Sequence, residues 1–362
     1  MISEIYLYLV VALSILWVLQ QVNFLKKNWV LILSGLSLAI VLALRNAEFG
    51  VIDMQRYSIY YDALSYSNSF KEAIFHSNGK DMGYWGLVYL VRSLGVSFQL
   101  FCSLIALFNI GAFLYYIKKH SIDYVMSCFI LLGSGCYTFM FYGLRQAIAM
   151  SLIILCLDAC YNKKTRMMIL WGVLAFLFHW SSVAIIPLLF VSKKRINTFV
   201  IICYFFALVV MILFSTQIGY ILTVLFREEY VDTYESSGSI GGLGLLYLLL
   251  LAWYVFILKR NIYNNYKVSF FLHAFILLCM IQISSAFAYS FTRLNFYYTM
   301  SVLTVTVPMS FDRKMLKSLY GQVGGFLSMV GSVTVIILMI ILFNSFIKGN
   351  GLYDYFFFWE EF

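Results

Sequence analysis

The chain has 362 residues, 63% of them hydrophobic and 11% charged, with a mean hydropathy of +0.88. A soluble domain is about half apolar and a quarter charged, so this composition excludes one and indicates a polytopic membrane protein. The formal charge of +9 comes from short basic clusters between apolar runs, which fits membrane orientation and argues against nucleic-acid binding.

Taken in chain order, apolar runs of roughly spanning length lie at 5–23, 29–44, 98–117, 121–138, 144–161, 196–214, 243–258, 268–289, 293–310 and 323–347. The expected fold is all-α: one transmembrane domain over 1–362 with about ten spans and a re-entrant helical segment. Only two prolines occur, so the spans are expected to be mostly unbroken. The first run lacks a basic leader and a small-residue cleavage site, and reads as a retained span.

Orientation follows from charge. Lys26-Lys27, Lys118-Lys119, Lys163-Lys164-Arg166, Lys193-Lys194-Arg195, Lys259-Arg260 with Lys267, and Arg313-Lys314 with Lys317 hold sixteen of the 25 Lys and Arg. The positive-inside rule makes these loops cytoplasmic. Stretches 45–97, 139–143, 215–242, 290–292 and both termini are then outside. Segment 167–191 separates two inner clusters, so it either enters and returns or crosses once against the rule. The polar break His179-Trp180-Ser181-Ser182 divides it into halves too short to span and favours return, with His179 at the outer tip. The acids Glu228, Glu229, Asp232 and Glu235 read as solvated in the outer loop. Asp158 and His273 read as structural near the inner side, and the C-terminal aromatic tract as interfacial.

The seven cysteines lie in apolar segments without metal or redox spacing, and read as small buried hydrophobes. His179 has no Cys or His companion at ligand spacing, so neither a metal nor another cofactor is expected.

Four polar elements stand out, because an ionisable group at membrane depth is costly and marks function by default. The first is Arg45-Asn46-Ala47-Glu48-Phe49-Gly50-Val51-Ile52-Asp53, leading to Tyr57. Arg45 offers a planar fork for phosphate, Gly50 a turn that brings backbone near a ligand, and Asp53 or Glu48 a proton acceptor. A snorkelling arginine on a solvated loop is the alternative. The second is Gly143-Leu144-Arg145-Gln146-Ala147, where Arg145 sits in a first helical turn that favours an anion, or serves as an interfacial anchor. The third is Phe178-His179-Trp180-Ser181, where His179 is a base, a phosphate-oxygen donor or a structural residue. The fourth is Thr292-Arg293-Leu294-Asn295, an arginine opening a helix above aromatics. The topology puts all four on the outer side.

Together these elements resemble the EpsG family of bacterial polysaccharide-synthesis membrane proteins, related in role to the Wzy O-antigen polymerases. The matching residues are Arg45-Asn46, Gly50, Asp53 and Tyr57, then Gly83-Tyr84, Arg145-Gln146-Ala147 with Ala149, Phe178-His179 with Ser181, and Arg293. The family often has an acid just before its Gly-Tyr; here Asp81 precedes Gly83 by two positions, with Met82 between.

The resemblance implies polymerisation of undecaprenyl-diphosphate-linked repeat units, for O-antigen, capsule or exopolysaccharide, on the outer face of the bacterial cytoplasmic (inner) membrane. The acceptor hydroxyl attacks the anomeric carbon and undecaprenyl diphosphate leaves. Catalytic roles would fall on Asp53, His179, Arg145 and Arg293, and contacts to diphosphate or sugar on Arg45, Gly50, Tyr57, Tyr84, Gln146 and Ser181. Implied partners are lipid-linked glycans, membrane lipid, a flippase and a chain-length regulator. Two other classes stay open. A lipid-linked glycan flippase needs charges through the interior, and a membrane O-acyltransferase needs a histidine facing a cytoplasmic acyl donor.

Overall fold

A computed structural model describes residues 4–47, 52–64, 69–75, 80–192, 194, 196–227, 241–259, 262, 265–287, 290–352 and 354–359. Among these the fold is helical, with a single isolated backbone bridge between Arg45 and Phe357. In chain order the helices are α1 (Glu4–Gln21), α2 (Lys27–Ala43), α3 (Ile52–Ala63), α4 (Phe70–Ile74), α5 (Met82–Ser93), α6 (Phe98–His120), α7 (Tyr124–Gly133) and α8 (Cys136–Phe139). They continue with α9 (Leu144–Tyr161), α10 (Thr165–Phe178), a 3-10 segment Trp180–Ile185, α11 (Ile186–Val191), α12 (Thr198–Leu213), α13 (Ser215–Arg227), α14 (Gly241–Leu258), α15 (Tyr266–Ser284), α16 (Ser290–Ser310) and α17 (Arg313–Gly349).

Several starts are set by side-chain caps that satisfy early amides. Ser97 accepts from Leu100 N at 3.3 Å, Asp123 from Met126 N at 2.9 Å, Asn197 from Val200 N at 2.9 Å, and Asp312 from Lys314 N at 2.7 Å. Between apolar helices in lipid, close packing holds the bundle, and small residues permit it. A Cβ on Gly133 of α7 would lie 2.5 Å from the Met339 backbone of α17, so those two helices meet nearly backbone to backbone.

Each expected span has a helix, but fewer have spanning length. Among the described residues five helical stretches are long and apolar enough to cross a membrane, and six if the pair Thr198–Leu213 and Ser215–Ile221, bent by 75°, is one span. Hydropathy alone suggests ten. The reasons are local. Run 121–138 divides after α7, where Gly135 takes a left-handed φ of 79°. α2 has 17 residues. Gly321, at φ 59° and ψ −138°, reverses α17, so that 313–320 folds back along the longer C-terminal part of the helix and Ser328 Oγ donates to Phe311 O at 2.6 Å. Stretches 45–97 and 215–242, read as loops, carry α3 to α5 and α13; the four loop acids 228, 229, 232 and 235 lie outside the described residues.

The bundle has two chemically different ends. At one, Trp17, Gln20 and Gln21 of α1 donate to Asp123, and the basic clusters gather. Lys119 pairs with Asp158 at 2.9 Å, Lys163 lies 5.5 Å from the Tyr266 ring, Lys267 Nζ donates to His120 O at 2.7 Å, and His273 meets the Lys194 carbonyl at 2.9 Å. At the other, the Tyr6 ring meets Phe141 at 6.2 Å and Tyr355 at 5.8 Å. α10 runs antiparallel to α9 from the basic end to His179. The chain then returns, and Ser192 Oγ comes within 3.6 Å of Cys160 Sγ near the C-terminal end of α9.

Candidate functional site

Four elements converge at the end remote from the basic clusters. α9 begins after Gly143, whose added Cβ would strike the Phe139 ring at 2.3 Å. Gly143, at the N-cap, offers no side chain to the first amides of this helix. Arg145, in that first turn, donates through Nη1 to Asp81 Oδ2 at 2.8 Å and through Nε to the Tyr57 hydroxyl at 3.1 Å. Its guanidinium lies over the rings of Tyr57 and Trp85, 5.6 and 5.9 Å from their centroids, where an arginine is attracted electrostatically. The side chain is 30% exposed, so the cation is held yet reachable.

His179 ends α10 in extended backbone. Its Nδ1 lies 3.2 Å from Asp81 Oδ2 and 3.3 Å from Oδ1, and the following amide, Trp180 N, donates to Asp81 Oδ1 at 3.3 Å. The remaining ring nitrogen, Nε2, has no hydrogen-bond partner among the described residues, and the side chain is 18% exposed. Burial works against ionising Asp81, but His179, Arg145 and the Trp180 amide together outweigh it and hold the carboxyl below its ordinary range. Below the histidine, Ser181 Oγ meets the Tyr297 hydroxyl at 2.9 Å and Tyr298 donates to Ala184 O at 2.7 Å. α16 thus fixes the turn that presents His179.

Arg293 opens α16. Its backbone carbonyl accepts from Gln146 Nε2 at 2.7 Å, which places its first turn beside Arg145. Phe296 and Tyr297, three and four residues on, share its helix face. One stacks on Phe139 at 4.6 Å and the other holds Ser181, so the half-buried Arg293 side chain lies on the face turned toward the cluster. The guanidinium itself has no ion-pair partner among the described residues.

Tyr84 is buried against Tyr57, with ring centroids 5.7 Å apart, and backs the Arg145 shelf from within. Arg45 sits apart. It is buried, 4.9 Å from the Phe141 centroid, with Nη2 at 3.8 Å from Met54 Sδ. Met54 and Tyr57 are one turn apart on α3, so that helix touches Arg45 at one point and Arg145 at the next. The backbone at Arg45 is gripped from both sides. Gln99 Nε2 donates to Arg45 O at 2.9 Å, Asn46 N donates to Phe356 O at 2.7 Å, and Phe358 N donates to Leu44 O at 3.0 Å. Asp53 is half-buried in the first turn of α3 and makes no ion pair with another described residue. Gly50 and Glu48 lie outside the described residues.

The residues brought together are therefore Tyr57, Arg145, Gln146, His179, Ser181 and Arg293, with Tyr84 behind them and Arg45 one helix turn away. The member that motif reading left without a role is Asp81, and its position before Gly83-Tyr84 was the available signal. No three His, Cys, Asp or Glu side chains converge as metal ligands among the described residues. Chemically the site offers a carboxylate-oriented imidazole with a free nitrogen, and two guanidinium groups near a helix N-terminus. That set suits removal of a hydroxyl proton beside a stabilised anion.

The EpsG family model matches residues 28–358 of the chain. No curated protein and no solved structure matches it.

Proposed function

The chain belongs to the EpsG family, a Wzy-type polymerase-like family with a general role in polysaccharide polymerisation, and we propose that it extends lipid-linked glycans by transferring repeat units from an undecaprenyl-diphosphate donor. The observation that carries this reading is the Arg145–Asp81–His179 cluster with Arg293 beside it, at the end of the bundle opposite the basic loops. By the positive-inside rule that end faces outward, in the periplasm or exterior of a bacterial cytoplasmic membrane, and both termini lie with it.

In the proposed reaction a hydroxyl of the acceptor glycan gives its proton to a base, and its oxygen bonds to the anomeric carbon of the donor. The bond from that carbon to the diphosphate oxygen breaks, and its electron pair leaves with undecaprenyl diphosphate. Arg145 and Arg293 meet the charge that develops on the leaving group, with Arg45 a further cation one turn along α3. Of the two candidate bases, His179 has a nitrogen open among the described residues and oriented by a carboxylate, whereas Asp53 has no such orienter among them. The Tyr57 ring borders the sugar, and the buried Tyr84, Gln146 and Ser181 support the site from behind.

Deletion of the gene should leave single lipid-linked repeat units at the cell surface and remove long glycan, because such a site acts after translocation. Loss of the single units as well would overturn the reading in favour of transport. Long glycan persisting in an Arg145→Ala, Arg293→Ala double variant would rule out the proposed role of the arginines. Labelling at positions 162 and 197 should report one side of the membrane. Opposite sides would remove His179 from the shared face.

A further inference from the structure

Asp81 is held in a conformation uncommon for any residue but glycine, though aspartate tolerates it better than most. Its φ of 54° and ψ of 37° are left-handed, at the position just before α5. An aspartate there ordinarily accepts an early amide of its own helix; this one caps nothing. Its carboxylate, in a residue only 4% exposed, turns instead to two other elements, α9 and the end of α10. One oxygen, Oδ2, serves both Arg145 at 2.8 Å and His179 at 3.2 Å, while Oδ1 takes the Trp180 amide at 3.3 Å. The approach is close: a Cβ on Gly83 would sit 3.1 Å from the Leu177 backbone of α10. Backbone strain maintained at a buried polar junction points to function.

We propose that Asp81 is the positioning acid of the site: it accepts Nδ1–H from His179, leaves Nε2 as the proton acceptor for the glycan hydroxyl, and holds Arg145 in register for the leaving diphosphate. This rests on the polymerase reading above. A neutral imidazole carries one proton, and the group bonded to one nitrogen decides where it resides. The carboxylate also stabilises the imidazolium that forms when the hydroxyl proton arrives at Nε2. That proton then passes to water, restoring the neutral ring. Because the same oxygen serves base and cation, loss of Asp81 disturbs both at once.

The test uses the full-length protein in lipid nanodiscs with its histidines labelled by ¹⁵N, and lipid-linked repeat units as substrate. The histidine signal absent from His179→Gln should report an Nδ1-protonated ring in the wild type and the other tautomer in Asp81→Asn. Turnover of Asp81→Asn should fall by on the order of 10²-fold or more, the scale of general-base loss, and Asp81→Glu should recover part of it. Asp81→Asn should cost less in a His179→Ala background than in the wild type, because only its hold on Arg145 is then left to lose. An unchanged tautomer in Asp81→Asn, or losses that multiply in the double variant, would overturn the positioning role. Wild-type protein with the expected tautomer but no chain growth would sink the polymerase reading and leave the positioning role standing.

Discussion

The two ends of this bundle carry the same four kinds of side chain to different effect. At the basic end Asp158 accepts from His120 at 2.9 Å, Lys119 at 2.9 Å, Tyr115 at 3.2 Å and Asn162 at 2.9 Å. At the other end Asp81 holds His179 and Arg145, and Arg145 holds Tyr57. An aspartate, a histidine, a cation and a tyrosine occur in both. The supply differs. Tyr115, Lys119 and His120 follow one another on α6, and Asp158 lies on α9 with Asn162 one turn after it, so two continuous helices build the basic-end cluster in relaxed backbone. The other draws on α3, the left-handed residue before α5, α9 and the end of α10. The exposure of the histidine differs too, at 3% for His120 and 18% for His179. A cluster made by neighbouring helix turns around a buried histidine ties helices together. One assembled from scattered segments, strained at its centre and open at one ring nitrogen, is arranged to meet a substrate.

The comparison breaks most readily at the histidines. His179→Ala should reduce chain growth by about 10²–10⁴-fold, whereas His120→Ala should leave the rate per folded molecule unchanged. Assays on equal amounts of folded protein decide it, and comparable losses in both would erase the distinction. Next comes stability. Asp158→Asn weakens the one acceptor of the buried His120 ring and should cost about 1–3 kcal/mol, read as a lowered melting temperature in detergent. Lys119→Ala, removing a side chain 39% exposed, should cost less than about 1 kcal/mol. A smaller effect on rate is expected from Gly83→Ala. Its Cβ presses on Leu177 and shifts Asp81 by a few tenths of an ångström, so turnover should drop by about tenfold, short of the roughly 10² that a full ångström can cost. Wild-type turnover in Gly83→Ala would show that the approach of α5 to α10 has slack. The smallest effect is on acid tolerance. The Asp81 carboxyl titrates below its ordinary value of 3.8 in the fold, so its contribution is complete above that pH and is lost as pH falls through the lower folded value. Thermal melts of Asp81→Asn from pH 6 downward should lack that acid limb.

Much of this was legible in the sequence, and the remainder has physical causes. Apolar runs marked the long helices of the bundle, because lipid-facing helices need apolar side chains throughout, but not α3 to α5 or α13. Run length alone did not show where a helix stops short or bends, since Gly135 and Gly321 act through backbone angles inside apolar sequence. The motif residues Arg145, Gln146, His179, Ser181 and Arg293 do meet, because each stands near a helix end on the side that charge bias assigns. Asp81 was legible as the acid before Gly83-Tyr84, but nothing in its neighbourhood spells out its left-handed backbone or its two partners. Its partners lie 64 and 98 positions away. Arg45 was legible as unusual, but its aromatic enclosure was not, since that comes from residues near both ends of the chain.

That enclosure has a consequence for biogenesis. Tyr355 donates its hydroxyl to the carbonyl of Val41, 314 positions earlier, and the bridge from Phe357 to Arg45 forms beside it. During synthesis α2 and α3 emerge early, and the backbone around Arg45 must wait with unpaired amide and carbonyl groups until the far segment has been made and inserted. Closure of so long a loop is slow, and until it occurs Met54 and Tyr57 on α3 rest on an unfinished support. A chain arrested anywhere before that segment therefore has most of its helices but lacks the contacts that close the backbone around Arg45, so completion of this end is a late event in assembly.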